Sequence, residues 1–488
     1  MKCSQQRARP VPTSFKIVLV FILLLQADTT FAQSGSLPQV PGDFPTFAIP
    51  KDTLQTTTSS EGSIFLANFN FDGAAASGYY LMILNDSASP IFYRGMSAPC
   101  LDFKVQPNGL LTYFDESTNK YYALDTTYAI VDSFACGNGI HTDVHDLELL
   151  PNGGALLLGI DSVVMDMSKL VQNGNAAAIV IANHVQELDK NKNVVFDWDG
   201  AAHFNVLDAR GIDFTAKVID FEHSNSIDMD TDGNIILSSR HLDEVSKINV
   251  ATGDFMWRFG GAHNQFTIIG DTTPFSHQHD AKRIANGNLT IFDNGNLRFP
   301  PYSRALEYTI DATNMTATAV WIYRHIPDTY TSAMGDVERM PNGNTFIGWG
   351  ANFDQTATEI DSNKNVIYEL TMNSNNISYR TFRQPWTPAA TSTATVPVAQ
   401  AVALTTMQSF PNPFGAKTTL FFNVEKQGPI SLQIEDELGR TVSTIATGVY
   451  GAGRHALDFN SAALPSGTYY AVLQTASAVQ TTKLLVTR

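Results

Sequence analysis

Cysteine, cationic side chains and long apolar runs are scarce in this sequence. Three cysteines occur among 488 residues, and Cys3 lies in the extreme N-terminal segment. At most one disulfide, Cys100 to Cys136, is therefore available, with two buried thiols as the alternative. Beyond the N-terminal segment no run reaches the ~18 apolar residues of a spanning helix. Lys and Arg number 31 against 47 Asp and Glu, a formal charge of −16. Such a chain is a poor partner for nucleic acid or an anionic membrane surface. An anionic substrate would need a local basic cluster. No glycine-rich phosphate loop is present, so a nucleotide donor has no evident seat.

Residues 1–32 read as a signal peptide. Lys2, Arg7, Arg9 and Lys16 make a basic start, residues 17–25 are apolar, and Thr30-Phe31-Ala32 offers a small-residue cleavage site. Cys3 does not stand at a lipid-attachment position. Removing this leader leaves the rest still more acidic.

What recurs is one phrase in one register. The copies are CLDFKVQPNG, VHDLELLPNG, QHDAKRIANG and MGDVERMPNG, with a variant EHSNSIDMDTDG. Asp102, Asp146, Asp280 and Asp336 each precede the turn glycine by the same interval, and Ser226 holds that column in the variant. Short alternating strands with Asn-Gly turns, repeated along the chain, predict a β-propeller. Six repeats are expected, over about 63–95, 101–134, 145–199, 223–260, 279–325 and 336–373. The segment NISYRTFRQPW supplies a closing strand. Trp198, Trp257 and Trp321 on outer strands are expected to pack between repeats. The expected fold is all-β: a six-bladed propeller over 33–386, an uncharged extended linker over 387–407, and a small β-sandwich over 408–488.

Histidines enter the repeated register from several repeats: His145, His223 and His279, with His277 two residues before His279. His241 follows Arg240 in ILSSRHLDEV, and Arg298 and Arg304 follow the His279 hairpin. Arginine clamps sulfate or phosphate bidentately, and histidine moves a proton or carries a group, so this mixture predicts transfer of an anionic group. His277-Gln278-His279 lacks an evident third metal ligand, and the neighbouring arginines oppose a cation. The run DMDTDG begins like a calcium loop, but Ser239 stands where the closing glutamate would, so a hairpin turn explains it better. No metal and no cofactor are expected.

Two family resemblances follow from the motifs. The last segment resembles the C-terminal sorting domain of the type IX secretion route. Phe410-Pro411-Asn412-Pro413-Phe414, Glu437-Leu438-Gly439-Arg440, Gly453-Arg454-His455, Leu464-Pro465-Ser466-Gly467-Thr468-Tyr469 and Lys483-Leu484-Leu485-Val486 carry it. It implies export through the periplasm to the cell surface or medium, with the type IX machinery as partner.

The repeats resemble the arylsulfotransferase family. The carrying residues are His223-Ser224-Asn225-Ser226-Ile227, Ser238-Ser239-Arg240-His241, Trp257-Arg258-Phe259-Gly260-Gly261, Gln278-His279-Asp280, Phe292-Asp293-Asn294-Gly295-Asn296 and Arg304-Ala305-Leu306-Glu307-Tyr308. The resemblance implies transfer of a sulfuryl group from an aryl sulfate to a phenol without a nucleotide. It implies that His223 and His279 contact the sulfuryl group or the phenolic oxygens and that Arg298 clamps the sulfate. His145, Asn225, Arg240, His241, His277, Tyr379 and Arg380 are expected as substrate-binding neighbours. In the family a carrier histidine precedes a Tyr-Arg pair. Here the pair is Tyr379-Arg380 and Ser378 precedes it. The rival readings are a non-catalytic propeller that binds sulfated or phenolic ligands, and a propeller enzyme cleaving sulfate esters or polysaccharide.

Overall fold

The computed structural model describes residues 40–52, 61–69, 77–373, 375–389 and, with short interruptions, 407–486. The expected signal peptide and most of the linker lie outside the described residues. Among the described residues regular structure is almost wholly antiparallel strand, with a short α-helix at Gly200–His203 and single 3-10 turns at Met167–Lys169 and Val206–Asp208. Among the described residues no helix is long and apolar enough to cross a membrane.

Among the described residues six sheets precede residue 385, antiparallel except where Val218–Asp220 and Thr267–Ile269 add short parallel edges to the third and fifth. The first joins Ser63–Phe69, Tyr79–Leu84 and Pro90–Met96, and Ile377–Gln384 pairs with the free side of Ser63–Phe69. The second runs from Cys100–Val105 to Ile130–Phe134, and the third from His141–Leu149 to Val194–Asp199. The fourth spans Ser224–Met229 to Phe255–Gly260 and the fifth His279–Arg283 to Thr316–Tyr323. The sixth spans Asp336–Arg339 to Val366–Met372 and gains Phe47–Asp52 on its outer edge, a strand with no counterpart in the sequence expectation. The first strands of successive sheets touch in cyclic order. Ile377–Gln384 touches both Asp336–Arg339 and Cys100–Val105, which completes the cycle.

The Asn-Gly turns work as the repeats require. Gly109 and Gly287 adopt φ of 80° and 85°, and each donates its N–H to the carbonyl three residues back. A Cβ would meet nothing within 4 Å at either position. Glycine is needed there for its left-handed backbone, not for space.

The repeated acidic column proves to be a set of stitches between sheets. Asp146 accepts the Ile227 N–H at 3.0 Å, Asp280 that of Val337 at 3.2 Å and Asp336 that of Thr381 at 2.8 Å. Ser226 accepts the Ala281 N–H at 2.9 Å, which is why serine can replace aspartate there. Each stitch lands one residue past the column position of the next sheet. By that rule the column position of the closing strand is Arg380. Two residues further along, a second rung repeats the device. Glu148 takes the N–H of Met229, Asp228 that of Arg283 and Glu338 that of Arg383. A buried N–H unpaired at a sheet edge costs free energy, so these carboxylates satisfy the edges that cyclic packing buries.

The column meets in a buried ion cluster. Arg380 is fully enclosed and reaches Asp102 at 2.9 Å, Asp146 at 3.4 Å and Asp280 at 3.6 Å. Lys104 bridges Asp102 and Asp146, and Lys282 holds the other oxygen of Asp146 at 2.8 Å. Burial alone would raise the Asp146 carboxyl, but Lys104, Lys282 and Arg380 outweigh it and hold it well below the usual range. Burial, then the Asp280 charge, push Asp336 the other way.

Glu338 has no such cation cluster, and burial pushes its carboxyl up to about 8. A raised acid favours the fold below its unfolded value of 4.5, and that stability drains as pH rises through about 8. Glu338→Gln keeps an oxygen for the Arg383 N–H and has no charge to bury. Its melting temperature should therefore fall less than the wild type's between about pH 5 and about pH 9 in scanning calorimetry. An equal fall in both would refute the assignment.

Apolar clusters lie between neighbouring sheets. Trp198 packs with Phe204 and Phe255 against the fourth sheet, and Trp257 joins a cluster containing Leu289 and Ile291 of the fifth. Trp321 packs beside Ile347 and Ile360 of the sixth. Cys100 and Cys136 are free thiols, the first buried, so the disulfide alternative is not realised. Burial pushes the Cys136 thiol up to about 12, which leaves it unreactive.

In the C-terminal segment, Gln408–Phe410, Lys417–Val424 and Gly453–Asn460 form one sheet. Gly428–Asp436, Thr441–Tyr450, Gly467–Thr475 and Val479–Val486 form another. Leu420 and Phe422 of the first and Leu432, Leu473 and Leu484 of the second share one apolar core.

Candidate functional site

One residue before the acidic column stand His145, Asn225, His279 and, by the stitch rule, Tyr379. This neighbouring position, and the loops just beyond it, assemble an arc of imidazoles. The rings of His145 and His223 are 4.9 Å apart at 72°. His223 lies 4.9 Å from His241, and His241 lies 5.6 Å from His277. Tyr379 closes the other end, 5.6 Å from His145. Residues from the third, fourth and fifth sheets and the closing strand thus meet, although they span nearly half the sequence.

Carboxylates orient these rings. His145 Nδ1 lies 2.6 Å from Asp143 Oδ1, and His223 Nδ1 2.5 Å from Asp220 Oδ2. His277 Nδ1 lies 3.0 Å from Asp243 Oδ1. His241 donates from Nδ1 to the Asp220 carbonyl and accepts Arg240 Nη1 at Nε2, which fixes its tautomer. A carboxylate on Nδ1 presents the Nε2 lone pair outward. Among the described residues, Nε2 of His145 and of His223 has no protein partner, and both side chains keep some exposure, 16% and 29%. His223 holds φ of 51° and His277 of 54°, left-handed values that cost non-glycine residues energy and cluster at working sites.

Burial keeps three of the rings neutral. Burial, then the neighbouring His223 and Arg240 charges, lower His241 to about 4. Burial likewise lowers His223, with its hydrogen bond to Asp220 pulling back. Burial drives His279 well below the ordinary histidine value, helped by Arg240. Beside them, burial pushes Glu222 up to about 8, so that it is protonated at neutrality.

The expected catalytic residues do not all share one situation. His223 lies in the arc. His279 lies within electrostatic reach of His145, His223 and Arg240, but it is 1% exposed and both nitrogens are used. Its Nδ1 donates to Asn294 Oδ1 at 2.7 Å, and its Nε2 accepts the Met334 N–H at 3.1 Å. Arg298 bonds Asp293 at 2.7 Å and the Tyr302 carbonyl at 2.8 Å, and stacks on the Tyr302 ring. None of its contacts is with a histidine; its loop shares Asp293 with Arg304.

The guanidinium beside the imidazoles is Arg240. It donates from Nη2 to the Ser332 carbonyl at 2.9 Å, and its buried Nε–H has no partner. Asn225 is fully buried and donates to the Gln278 carbonyl, while its Oδ1 is also unpartnered. Tyr379 and Arg380 both donate to the Asn225 carbonyl. Arg380 belongs to the ion cluster beneath. Ser378 is buried, and its hydroxyl is spent on the Arg380 carbonyl.

As for metals, the set whose ligand atoms converge is Asp220, His223 and His241, within 4.8 Å of one another. His277 and His279 are not in it. Arg240 already occupies His241 Nε2, and a fixed cation there opposes a second one. The DMDTDG turn is likewise filled by cations: Lys247 holds Asp230 and Asp232, and Arg283 holds Asp230.

Sequence reasoning missed the carboxylates behind the rings. A signal existed, in Asp two residues before His145 and three before His223. Asp243, the partner of His277, lies 34 residues away and carried none.

Residues 68–381 match the family model described as Arylsulfotransferase (ASST). Residues 408–487 match the Secretion system C-terminal sorting domain, which directs export to the cell surface or secretion. No curated protein matches the sequence. Among solved structures, a protein of unknown function from Bacteroides caccae aligns at 11% identity and a TM-score of 0.40. That alignment covers 65% of this chain and 99% of the other. An inactive virginiamycin B lyase from Staphylococcus aureus, solved with quinupristin, aligns at 9% identity and a TM-score of 0.35, covering 68% and 97%. Both likenesses are distant.

Proposed function

Because the chain belongs to the arylsulfotransferase family over residues 68–381, we propose that it is an exported enzyme moving a sulfuryl group between phenols without a nucleotide donor. In this reading residues 33–386, after a signal peptide, form a six-bladed propeller whose blades are the six sheets. Residues 408–488 form a β-sandwich that the type IX machinery recognises and the linker releases. The substrates are small: an aryl sulfate and a phenol.

The observation that carries the reading is a half-buried guanidinium, Arg240, beside His241, which burial keeps neutral, and His223, which the Asp220 carboxylate orients. Sulfuryl transfer spreads charge over three oxygens, and the Arg240 Nε–H is placed to neutralise it. His223, backed by Asp220, accepts the proton of the incoming phenol at Nε2. His279, held by Asn294 and the Met334 N–H, has no free nitrogen and serves as a fixed neighbour of the arc. Arg298 acts one layer out, fixing the Asp293 loop.

The test is release of nitrophenolate from para-nitrophenyl sulfate by the purified full chain. The proposal expects release that depends on added phenol, with aryl sulfate formed from that phenol. Release without phenol would instead mark a hydrolase. Binding of aryl sulfate without turnover would favour the binding module.

A further inference from the structure

We infer that Arg210 is a second anion anchor at the edge of the arc and that the acceptor it selects is a carboxylated phenol, an inference that deepens the transferase reading above and rests on it. The chain is poor in cations, so a cation left without a firm partner carries information. Arg258 is spent on Glu244, Arg298 and Arg304 on Asp293, and Arg324 on Asp328. Arg210 is not spent in this way. Among the described residues its guanidinium makes no hydrogen bond, and its one ion pair, Nε to Asp243 Oδ2, is 3.8 Å long. The carboxylate it faces is buried and already committed. Asp243 Oδ1 accepts the His277 N–H and lies 3.0 Å from His277 Nδ1. The Arg210 side chain itself is 49% exposed.

The backbone fixes Arg210 while leaving its head free. Val206 and Ala209 are buried in the core shared by the third and fourth sheets, and the Arg210 N–H donates to the His241 carbonyl at 2.7 Å. Gly211 then turns the chain with φ of 71°. A Cβ built there would stand 3.2 Å from His277 Nε2 and 4.0 Å from Leu297 Cδ2, so the chain passes against the His277 end of the arc. Leu297 is half-exposed and gives that end an apolar side.

Two guanidiniums thus flank one pair of rings. Arg240 bonds His241, Arg210 sits against the carboxylate of His277, and the two rings are 5.6 Å apart. Arg240 serves the sulfuryl group in the reading above. A phenol lying along this pair, with its reacting oxygen toward Arg240, directs a para substituent toward Arg210. A guanidinium matches a carboxylate with two parallel hydrogen bonds, whereas a neutral phenol leaves that fork to water. In a chain of formal charge −16, a local cation is also what draws such a ligand in.

The experiment measures kcat/KM for 4-hydroxybenzoate and for its neutral isostere 4-hydroxybenzamide, with para-nitrophenyl sulfate as donor and the full chain as enzyme. The wild type should favour the carboxylate about tenfold or more, the worth of a charge-assisted hydrogen bond. The preference should shrink as salt is raised, because the Arg210 head is half-exposed to screening. Arg210→Gln should lower kcat/KM for the carboxylate more than for the amide and bring the ratio near one. A role in holding Asp243 alone would not give that selective loss. Arg210→Lys should keep part of the preference, since it restores the charge without the fork. Equal values for the two acceptors in the wild type, or a ratio that survives in Arg210→Gln, overturn the anchor and leave the transferase reading intact. A wild type inert with donor and every phenol overturns the transferase reading, and calorimetric titration of the wild type with the two ligands then decides the anchor by itself. Binding of the carboxylate about tenfold tighter than the amide supports it, and equal binding overturns it. Both wild-type comparisons hold even if a variant fails to fold.

Discussion

Replacing Arg380 by methionine should be the most damaging single change in the chain. Arg380 is fully enclosed among Asp102, Asp146 and Asp280. Its removal leaves three carboxylates with Lys104 and Lys282 alone, and one of those acids, Asp280, lies against neither lysine in any ion pair described here. Breaking a buried ion network by removing one partner costs roughly 3–5 kcal/mol, because the remaining charge stays buried. That approaches the whole stability of many domains. Urea titration should show a midpoint shifted strongly downward or no cooperative transition. Lysine at the same position should recover part of the loss, since it restores charge without the planar fork. A midpoint within experimental error of the wild type would mean that Arg380 is not the keystone inferred from its contacts.

His223→Ala should be the most damaging change to activity that leaves the fold intact. A positioned base contributes roughly 100- to 10,000-fold, so turnover should fall by that range while the melting temperature holds. The pH profile gives a second test. Burial lowers His223 below 6.5, so the base stays unprotonated through neutrality. The acid limb of kcat/KM should therefore lie below about 6.5. Asp220→Asn should blunt turnover further than loss of a surface carboxylate would. A wild-type acid limb above 6.5, or full activity in His223→Ala, would remove His223 from the proton transfer.

Much of this was readable from the residues, because the turns and the column are local. Alternation of side chains and Asn-Gly turns specify hairpins within about ten residues, and the structure has strands where those patterns lie. The pairing of Ile377–Gln384 with Ser63–Phe69 followed from a leftover strand with no partner of its own. The role of the column was not legible in the sequence, for a physical reason. A buried acid at a fixed register can serve a ligand or a neighbour's backbone, and sequence does not distinguish them. The structure shows the second for Asp146, Asp280 and Asp336. Arg240 was expected only as a substrate-binding neighbour, with Arg298 as the clamp. Its value lies in an unpartnered Nε–H and in the rings around it, both products of long-range packing, whereas Arg298 looked better placed along the chain.

The pairing of Ile377–Gln384 with Ser63–Phe69 joins segments more than 300 residues apart. Closing so long a loop is entropically costly, and no native contact between those two strands can form until the intervening five sheets have been made. Completion of the cycle is thus a late step on the folding path, and the first sheet stays unfinished until Ile377–Gln384 has been made. An exported chain gains from that order, because an incomplete cycle stays threadable until the last strand is through. The same pairing sets the two ends of the cycle side by side. A circular permutant that links them and opens a different Asn-Gly hairpin would keep every stitch and shift the late step to another sheet.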